Sequence, residues 1–362
     1  MKMNIAVIRG DGIGGDCINA ALAVMEKALM LSRLPMPEYT DINAGAGFFA
    51  ETGRDIEEGG EEAAGRADAI FLGAIGLPAI RHPDGTEISP HLRLRDKFGL
   101  YAGVRPVRAF PNAPLKLAAP EAGSIDLVLI RESTEGLFYS AAVHSRSRID
   151  GDNAVEETLR ITRSTTEKLH RFAFRLAEKR KNLGRGHKVT CVDKANVFTA
   201  FAFFRKIFDE VAASYPHIAH DYSYVDAMAL ELIRKPWQAG VLVTENMFGD
   251  ILSDLAAGLV GGMGMASCAE IGDANGLFQP AHGSAPDIMG QDKANPIATV
   301  LSAGLLLDYL ADKSGYQGYA EAAIRIERAV ENGFTHRDLR PVEFGGDMGT
   351  KAMTKALLDH LS

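Results

Sequence analysis

Asp250 and Asp254, in the segment NMFGDILSD, stand four residues apart in a helical pattern, so both carboxylates leave one face of a helix. Like charges at that spacing repel unless a cation or an arginine lies between them. Asp226, in YVDAMAL, is a third acid among apolar neighbours. Carboxylates without Cys or His nearby suit a hard, oxygen-loving divalent ion, Mg2+ or Mn2+. The alternative is a helix start decorated with acids, which the helix dipole also favours. Lys194 follows an apolar run in CVDKANV. A lysine there is a general base if burial or positive neighbours lower its pKa, and otherwise a solvated strand-end cation. Arg95, Arg105 and Arg131 offer planar forks that grip carboxylates bidentately and stay charged at any working pH. They suit a poly-carboxylate substrate if the fold makes them converge. Scattered arginines otherwise form surface pairs.

Two glycine-rich segments need weighing as well. Gly10, Gly12 and Gly15 spell G-x-G-x-x-G between an apolar run and a helical pattern, the context of a dinucleotide fingerprint. The acid that should end the second strand is matched only loosely by Asp41, and a plain glycine turn fits equally well. The segment PAHGSAPDIMGQDKANP gathers prolines and glycines around His282, Ser284, Asp287 and Asn295. It is either a backbone cradle in which Asp287 accepts from ribose hydroxyls, or a long turn.

These residues must be held by regular elements. Short apolar runs at 4–8, 69–72, 125–130, 189–192 and 241–243, bounded by turns, predict buried parallel strands of an α/β protein. Ser164 and Glu167 have capping-box spacing ahead of a helix carrying Leu169, Phe172, Ala173, Leu176 and Ala177. A second helix is expected over 196–213, with Val197, Phe201, Phe204, Phe208 and Val211 on a face for the core or a subunit interface. The apolar, glycine-crowded stretch 255–268 is too short for a bilayer span and reads as a buried helix end and loop. The stretch 137–153 reads as a loop or an exposed hairpin.

Composition sets the outer bounds. With 362 residues, about two domains are expected, and 46% hydrophobic with 24% charged residues is ordinary for a globular protein. A net charge of −8 gives no basic footprint for nucleic acid or an anionic membrane. Cys17, Cys191 and Cys268 lack CxxC spacing and read as reduced thiols of a cytoplasmic protein. The opening MKMNIAVIRGDG has too short an apolar run for a signal peptide.

Taken together, IAVIRGDGIG, FLGAIG, LRLRDKFGLYAGVRPV, IRESTEG, VDKANV, YVDAMAL, VTENMFGDILSDLA, PAHGSAPD, KANPIATVLSA and a late MGT run in order over nearly the whole chain. This text resembles the β-decarboxylating dehydrogenases that act on isopropylmalate, isocitrate, homoisocitrate and tartrate or D-malate. The resemblance implies a two-domain α/β fold that is not a Rossmann fold. A discontinuous cofactor-side domain would span 1–100 and 261–362, and a substrate and dimerisation domain 101–260, with an arm pairing between subunits. It implies a homodimer with an interdomain site, where Lys194 and Asp226 come from the partner beside Asp250 and Asp254.

By the same resemblance, Arg95, Arg105 and Arg131 hold the substrate's carboxylates, and Asp226, Asp250 and Asp254 hold Mg2+ or Mn2+. Lys194, assisted by Asp226, takes the hydroxyl proton while hydride leaves for NAD. The cofactor lies along His282, Gly283, Ser284, Ala285, Asp287 and Ile288, with Asn295, which makes GDGIGG a decoy. Asp287 followed by Ile288 resembles the NAD-preferring pattern.

Three places depart from the family. Phe138 replaces the tyrosine that donates a proton after decarboxylation, leaving Tyr139 or water as the substitute, or decarboxylation impaired. Gln279 replaces a frequent glutamate near the cofactor. Ile88, Ser89, His91 and Leu92, which precede Arg95 where substrates are told apart, match neither the isopropylmalate nor the isocitrate pattern. Two of them suit an alkyl substituent and two a polar one, and the reading leans to 3-isopropylmalate or a close 2-hydroxy diacid. Isocitrate, homoisocitrate, tartrate and D-malate are the alternatives, followed by a noncatalytic regulatory subunit.

Overall fold

The computed structural model describes residues 3–141, 144 and 146–362; positions 142, 143 and 145 of the expected arm and the first two residues lie outside the described residues. The chain divides into two units. The first comprises Met1–Phe98, Phe110–Pro114 and Gly261–Ser362, the second Gly99–Ala109 and Leu115–Val260.

In the first unit, β1 (Asn4–Ile8) is buried from Ile5 onward and leads into α1 (Gly14–Leu31). Next come β2 (Glu38–Asp41), α2 (Ala46–Thr52), α3 (Gly60–Arg66), the fully buried β3 (Ala69–Leu72) and α4 (Pro90–Lys97). β1 pairs in parallel with both β2 and β3.

The second unit opens with β4 (Ala102–Arg108) and β5 (Asp126–Glu132). A small exposed hairpin of β6 (Arg148–Asp150) and β7 (Ala154–Glu156) follows, in the stretch expected to be a loop or an exposed hairpin. Then come α5 (Arg163–Asn182), β8 (Val189–Asp193), α6 (Thr199–Ala212), β9 (His220–Tyr224), α7 (Val225–Arg234), β10 (Val241–Thr244) and α8 (Asn246–Leu259). The strands lie in the order β4-β5-β10-β8-β9. The chain then returns to the first unit with β11 (Ser267–Ile271), β12 (Gly276–Pro280), α9 (Ile297–Ser314), α10 (Gly318–Thr335) and α11 (Thr350–His360). Its strand order is β2-β1-β3-β12-β11.

The expected buried strands are all present, but the sheets are mixed rather than parallel. β4 runs antiparallel to β5, and β11 to β12. β4 was hidden by its composition, since AGVRPVR interrupts an apolar run with two arginines and a proline. β9 (HDYSY) alternates exposed and half-buried residues, as an edge strand with one wet face does.

Two helix starts need correcting. α5 is capped by Thr162 rather than Ser164: the Thr162 side chain accepts from the Thr165 N–H. Glu135 fixes that threonine by accepting its N–H at 2.8 Å and its hydroxyl at 2.6 Å, while Glu167 turns instead to Arg171. α6 begins at Thr199, so Val197 precedes it and is exposed. Phe201, Phe204, Phe208 and Val211 are all core residues. Phe201 stacks on Phe248 of α8 with ring centres 4.8 Å apart.

His170 of α5 is wholly buried against this stripe, 4.5 Å from the Phe204 ring and 3.2 Å by Nε2 from the Phe204 carbonyl. Burial pulls its pKa down to about 3. The folded chain therefore keeps a neutral imidazole where the unfolded chain binds a proton below about 6.5. The stabilisation is complete above that pH and drains as pH falls toward the folded value, by on the order of 3 kcal/mol at about pH 4. Replacing His170 with phenylalanine is expected to shrink the drop in urea midpoint between neutral and about pH 4. An unchanged drop would assign the acid sensitivity elsewhere.

All three cysteines are buried thiols, and none forms a disulfide. Among the described residues no helix is long and apolar enough to cross a membrane.

Candidate active site

Pairing register makes two of the three arginines converge. β5 runs antiparallel to β4 with Arg131 opposite Gly103. Arg105, two residues beyond Gly103, therefore leaves the same face as Arg131, as its diagonal neighbour. Both are buried, at 7% and 6% exposure. Arg131 forms an ion pair with Asp250, and its Nη2 donates to Asn246 Oδ1 at 3.1 Å. Asn246 Nδ2 in turn donates to the Glu132 carbonyl at 2.9 Å. Gly249 makes this approach possible, because a Cβ there would lie 2.7 Å from the Arg131 Cβ and Cγ. Residues 246, 249 and 250 thus form one face of α8 fitted to the end of β5.

Asp254 is one turn beyond Asp250, as the spacing required. Its carboxyl is pushed up by burial and then by the charge of Asp250, against the opposing pull of Arg105 and Arg131. A divalent cation between the two acids would relieve that repulsion, and the donors are the hard oxygens such an ion prefers. Asp226 does not join them within the chain. Among the described residues, no group of three Cys, His, Asp or Glu side chains is placed to hold a metal.

Asp226 sits in the first turn of α7, where its Oδ1 accepts from Lys194 Nζ at 2.6 Å. The hydrogen bond from Lys194 holds its carboxyl below the usual aspartate value. The lysine is presented by a rigid turn. Preceding it, Asp193 is fully buried and accepts from Arg205 Nε and Nη2 at 2.8 and 2.7 Å, and from the Ala195 N–H at 2.8 Å.

Beyond β5, a single 3-10 turn (Leu137–Ser140) separates two aromatic neighbours. The Arg131 guanidinium lies 5.9 Å from the Phe138 ring centre. Tyr139 turns to Arg146 and Arg160 instead, at 4.3 and 4.9 Å. The residue facing the buried arginine thus has no hydroxyl.

The substrate-discriminating stretch belongs to the first unit. Ile88 is buried, Ser89 precedes the first turn of α4 without a side-chain cap, and His91 and Leu92 are half-buried. One turn on from His91, Arg95 Nη2 meets Glu270 Oε1 at 3.2 Å. Burial, and next the charge of Arg95, draw the His91 pKa down to about 3, so its ring is neutral.

The other glycine-rich segments meet in the same unit. Asp11 fills the turn after β1: its carboxylate accepts from the N–H groups of Ala46, Gly47 and Gly76, each at 2.8 Å. Gly12 faces the HGSAPD loop so closely that a Cβ would lie 2.0 Å from the Ser284 carbonyl. Asp41 does end β2, but it pairs with Arg9. Within the turn, the N–H groups of Asp11, Ile13 and Gly14 donate to the carbonyls of Ala74, Ser284 and Asp11, each at 2.8 Å, so protein groups hold these donors and the acid that a dinucleotide fingerprint reserves for its ligand.

In the HGSAPD loop, Ser284 donates to the Gly76 carbonyl and Ala285 adopts a left-handed φ of 38°. Ile288 packs on Ile13 and Cys17, while Gly283 and Asp287 face solvent. His282 Nδ1 is 2.9 Å from the Gly283 carbonyl, and its Nε2 is buried without a partner, as an acceptor awaiting a ligand donor would be. Asn295 is committed locally, donating to Glu343 at 2.9 Å and accepting from the Ile297 N–H at 3.2 Å. Gln279 lies 4.0 Å by its Nε2 from the Cys268 sulfur.

Residues 4–359 match the family model described as isocitrate/isopropylmalate dehydrogenase. The chain belongs to that family. A 3-isopropylmalate/3-methylmalate dehydrogenase of Methanocaldococcus jannaschii is 41% identical over 356 residues, covering 97% of this chain and 96% of that protein. A homoisocitrate dehydrogenase of the same organism is 38% identical, covering 99% and 98%. Among solved structures, isocitrate dehydrogenase from Methylococcus capsulatus superposes with a TM-score of 0.83 at 32% identity, covering 100% of this chain and 99% of that one. The fold is thus the isocitrate/isopropylmalate dehydrogenase fold, and GDGIGG is a structural turn within it.

Against that family background, four residues of the site escaped sequence reasoning. Asn246 was in view within NMFGDILSD but carries no charge to mark it. Asp193 and Arg205 are twelve residues apart, and only the folding of α6 against the end of β8 brings them into their ion pair. Glu270 is a lone acid inside the apolar run SCAEI; its presence in a fully buried strand was the available signal.

Proposed function

We propose that this protein is an NAD- and divalent-cation-dependent dehydrogenase that oxidises and decarboxylates a 2-hydroxy dicarboxylic acid, 3-isopropylmalate or a close analogue. The observation that carries this reading is the convergence of Arg105, Arg131, Asp250 and Asp254. It places guanidinium forks for carboxylates beside hard oxygen donors for a cation. The names of the related dehydrogenases support the substrate class.

In this reading Arg105 and Arg131 bind and orient the substrate's carboxylates, with Arg95 as the third fork. Lys194, hydrogen-bonded to Asp226, takes the proton of the 2-hydroxyl as hydride leaves C2. Asp250 and Asp254 of one subunit and Asp226 of its partner would hold Mg2+ or Mn2+, which when bound stabilises negative charge developing on substrate oxygen. His282, Gly283, Ser284, Ala285, Asp287 and Ile288 would hold NAD, the hydride acceptor when bound, and Asn295 shapes the loop. After loss of CO2, the carbon that held it takes a proton from Tyr139 or from water. The turn of Tyr139 toward Arg146 and Arg160 favours water.

A homodimer is part of the proposal. α7 and α8 expose Leu230, Ile233, Met247 and Ile251, at 53%, 46%, 39% and 62%. Those side chains seek cover that a second copy would supply.

The test is a screen of 3-isopropylmalate, isocitrate, homoisocitrate, D-malate and tartrate with NAD and NADP, with Mg2+ or Mn2+ and again with chelator. Metal-dependent NADH formation from at least one diacid is expected, and silence across the panel would reject the reading. Asp287→Lys is expected to shift the NAD-to-NADP preference by at least about tenfold, because a carboxylate there repels a 2′-phosphate. An unchanged preference would mean that the cofactor lies elsewhere.

A further inference from the structure

Two partners of different kinds grip Arg131. Asp250 pairs with it through a side chain that is 58% exposed. An ion pair so open to water constrains its members weakly. In the proposed reading the same carboxylate also serves a cation, so its hold on the arginine changes with the state of the site. Asn246 is the contrasting partner. It is 2% exposed, carries no charge and accepts from Arg131 Nη2 at 3.1 Å.

The fold explains why an amide stands there. β10 and β5 run in parallel with Thr244 opposite Arg131, and Glu245 caps α8 by accepting from the Phe248 N–H. Asn246, the first residue of the helix, is thereby set beside the end of β5. Its Oδ1 meets the guanidinium while its Nδ2 donates to the Glu132 carbonyl at 2.9 Å. A guanidinium only donates and a carbonyl only accepts, so the two contacts fix the amide in one orientation. The stacking of Phe248 on Phe201 of α6 steadies the start of the helix. Through Asn246 the guanidinium is tied to the backbone of its own strand.

We infer that Asn246 is a positioning residue, which holds the fork of Arg131 in the plane that a substrate carboxylate needs whether or not Asp250 pairs with the arginine. The inference rests on the proposed dehydrogenase reading, in which Arg131 binds the diacid. The action of Asn246 on the substrate passes through Arg131. A fork that is already ordered loses less freedom when the diacid arrives.

An arginine contact made equally in the ground and transition states changes KM rather than kcat. Asn246→Ala is therefore expected to raise KM for the best diacid of the panel about 10–100-fold, the range for one hydrogen bond to a charged group. Its kcat should stay within about threefold of wild type. With Mg2+ and no NAD, the rise in Tm produced by that diacid should shrink. The deciding comparison is made in Arg131→Met, where Asn246→Ala should raise KM further by less than about twofold, because no fork is left to aim. Asn246→Asp keeps the shape and the acceptor, loses the donor to Glu132 and adds a charge beside the fork. It too should raise KM, and again only where Arg131 is present.

A folded Asn246→Ala with an unchanged KM would overturn the inference. So would an equal rise in KM with and without Arg131, the mark of a merely structural role. If Asn246→Ala does not fold, Asn246→Asp decides by the same two measurements. Failure of both to fold would assign Asn246 to folding alone and overturn the positioning role. Failure of the wild type to bind or turn over any diacid of the panel would instead reject the dehydrogenase reading, and this inference with it.

Discussion

Lys194→Met is expected to lower kcat by about 10³-fold, the range that loss of a positioned general base costs. Lys194 is a strong candidate because its surroundings are arranged to aim it. The turn after β8 is fixed by buried Asp193, which Arg205 and the Ala195 N–H hold. The amine itself is directed by Asp226 at 2.6 Å. Methionine keeps most of the side-chain length and removes the proton acceptor. The Lys194–Asp226 pair is solvent-exposed on its acid side, so its loss should leave the urea midpoint almost unchanged. Single-turnover and steady-state rates with the best diacid of the panel would check this. A kcat within threefold of wild type would remove Lys194 from the chemistry.

Arg131→Met should damage both catalysis and folding. Arg131 is 6% exposed, and its guanidinium serves the Asn246 amide as well as Asp250. Without it, Asn246 Oδ1 is left buried with no donor, which costs roughly 1–3 kcal/mol of stability. In the proposed reading a substrate carboxylate loses its arginine at the same time, and kcat/KM is expected to fall about 10²–10³-fold. Arg131→Lys restores the charge without the planar fork, so it should recover only part of the activity. Urea unfolding and kcat/KM for the three proteins would separate the effects. If Arg131→Lys matched wild type, charge alone would suffice and the fork would be irrelevant.

The chemistry-bearing residues stood out in the sequence because each is defined by short-range spacing. Asp250 and Asp254 share a face because a helix turns every 3.6 residues, and that held once α8 was seen to span Asn246–Leu259. Lys194 followed an apolar run and does follow β8. The buried strands were legible for the same reason. Edge and antiparallel strands were not, since β9 is half wet and β4 interrupts its apolar run with Arg105, Pro106 and Arg108. The capping error at Ser164 had a tertiary origin: Glu135, 27 residues away, makes Thr162 the cap.

The sequence by itself determined the family, the α/β class and the identity of the acids, the lysine and the arginines, all through local pattern and ordered motif text. Only the tertiary structure decided which of these groups share a neighbourhood. Strand register brought Arg105 to Arg131, the missing side chain of Gly249 let α8 reach β5, and a buried acid on β11 compensated Arg95. Register, close approach and burial depend on residues far apart in the chain. The charge balance of the candidate site is therefore a property of the fold and is not written at any one position.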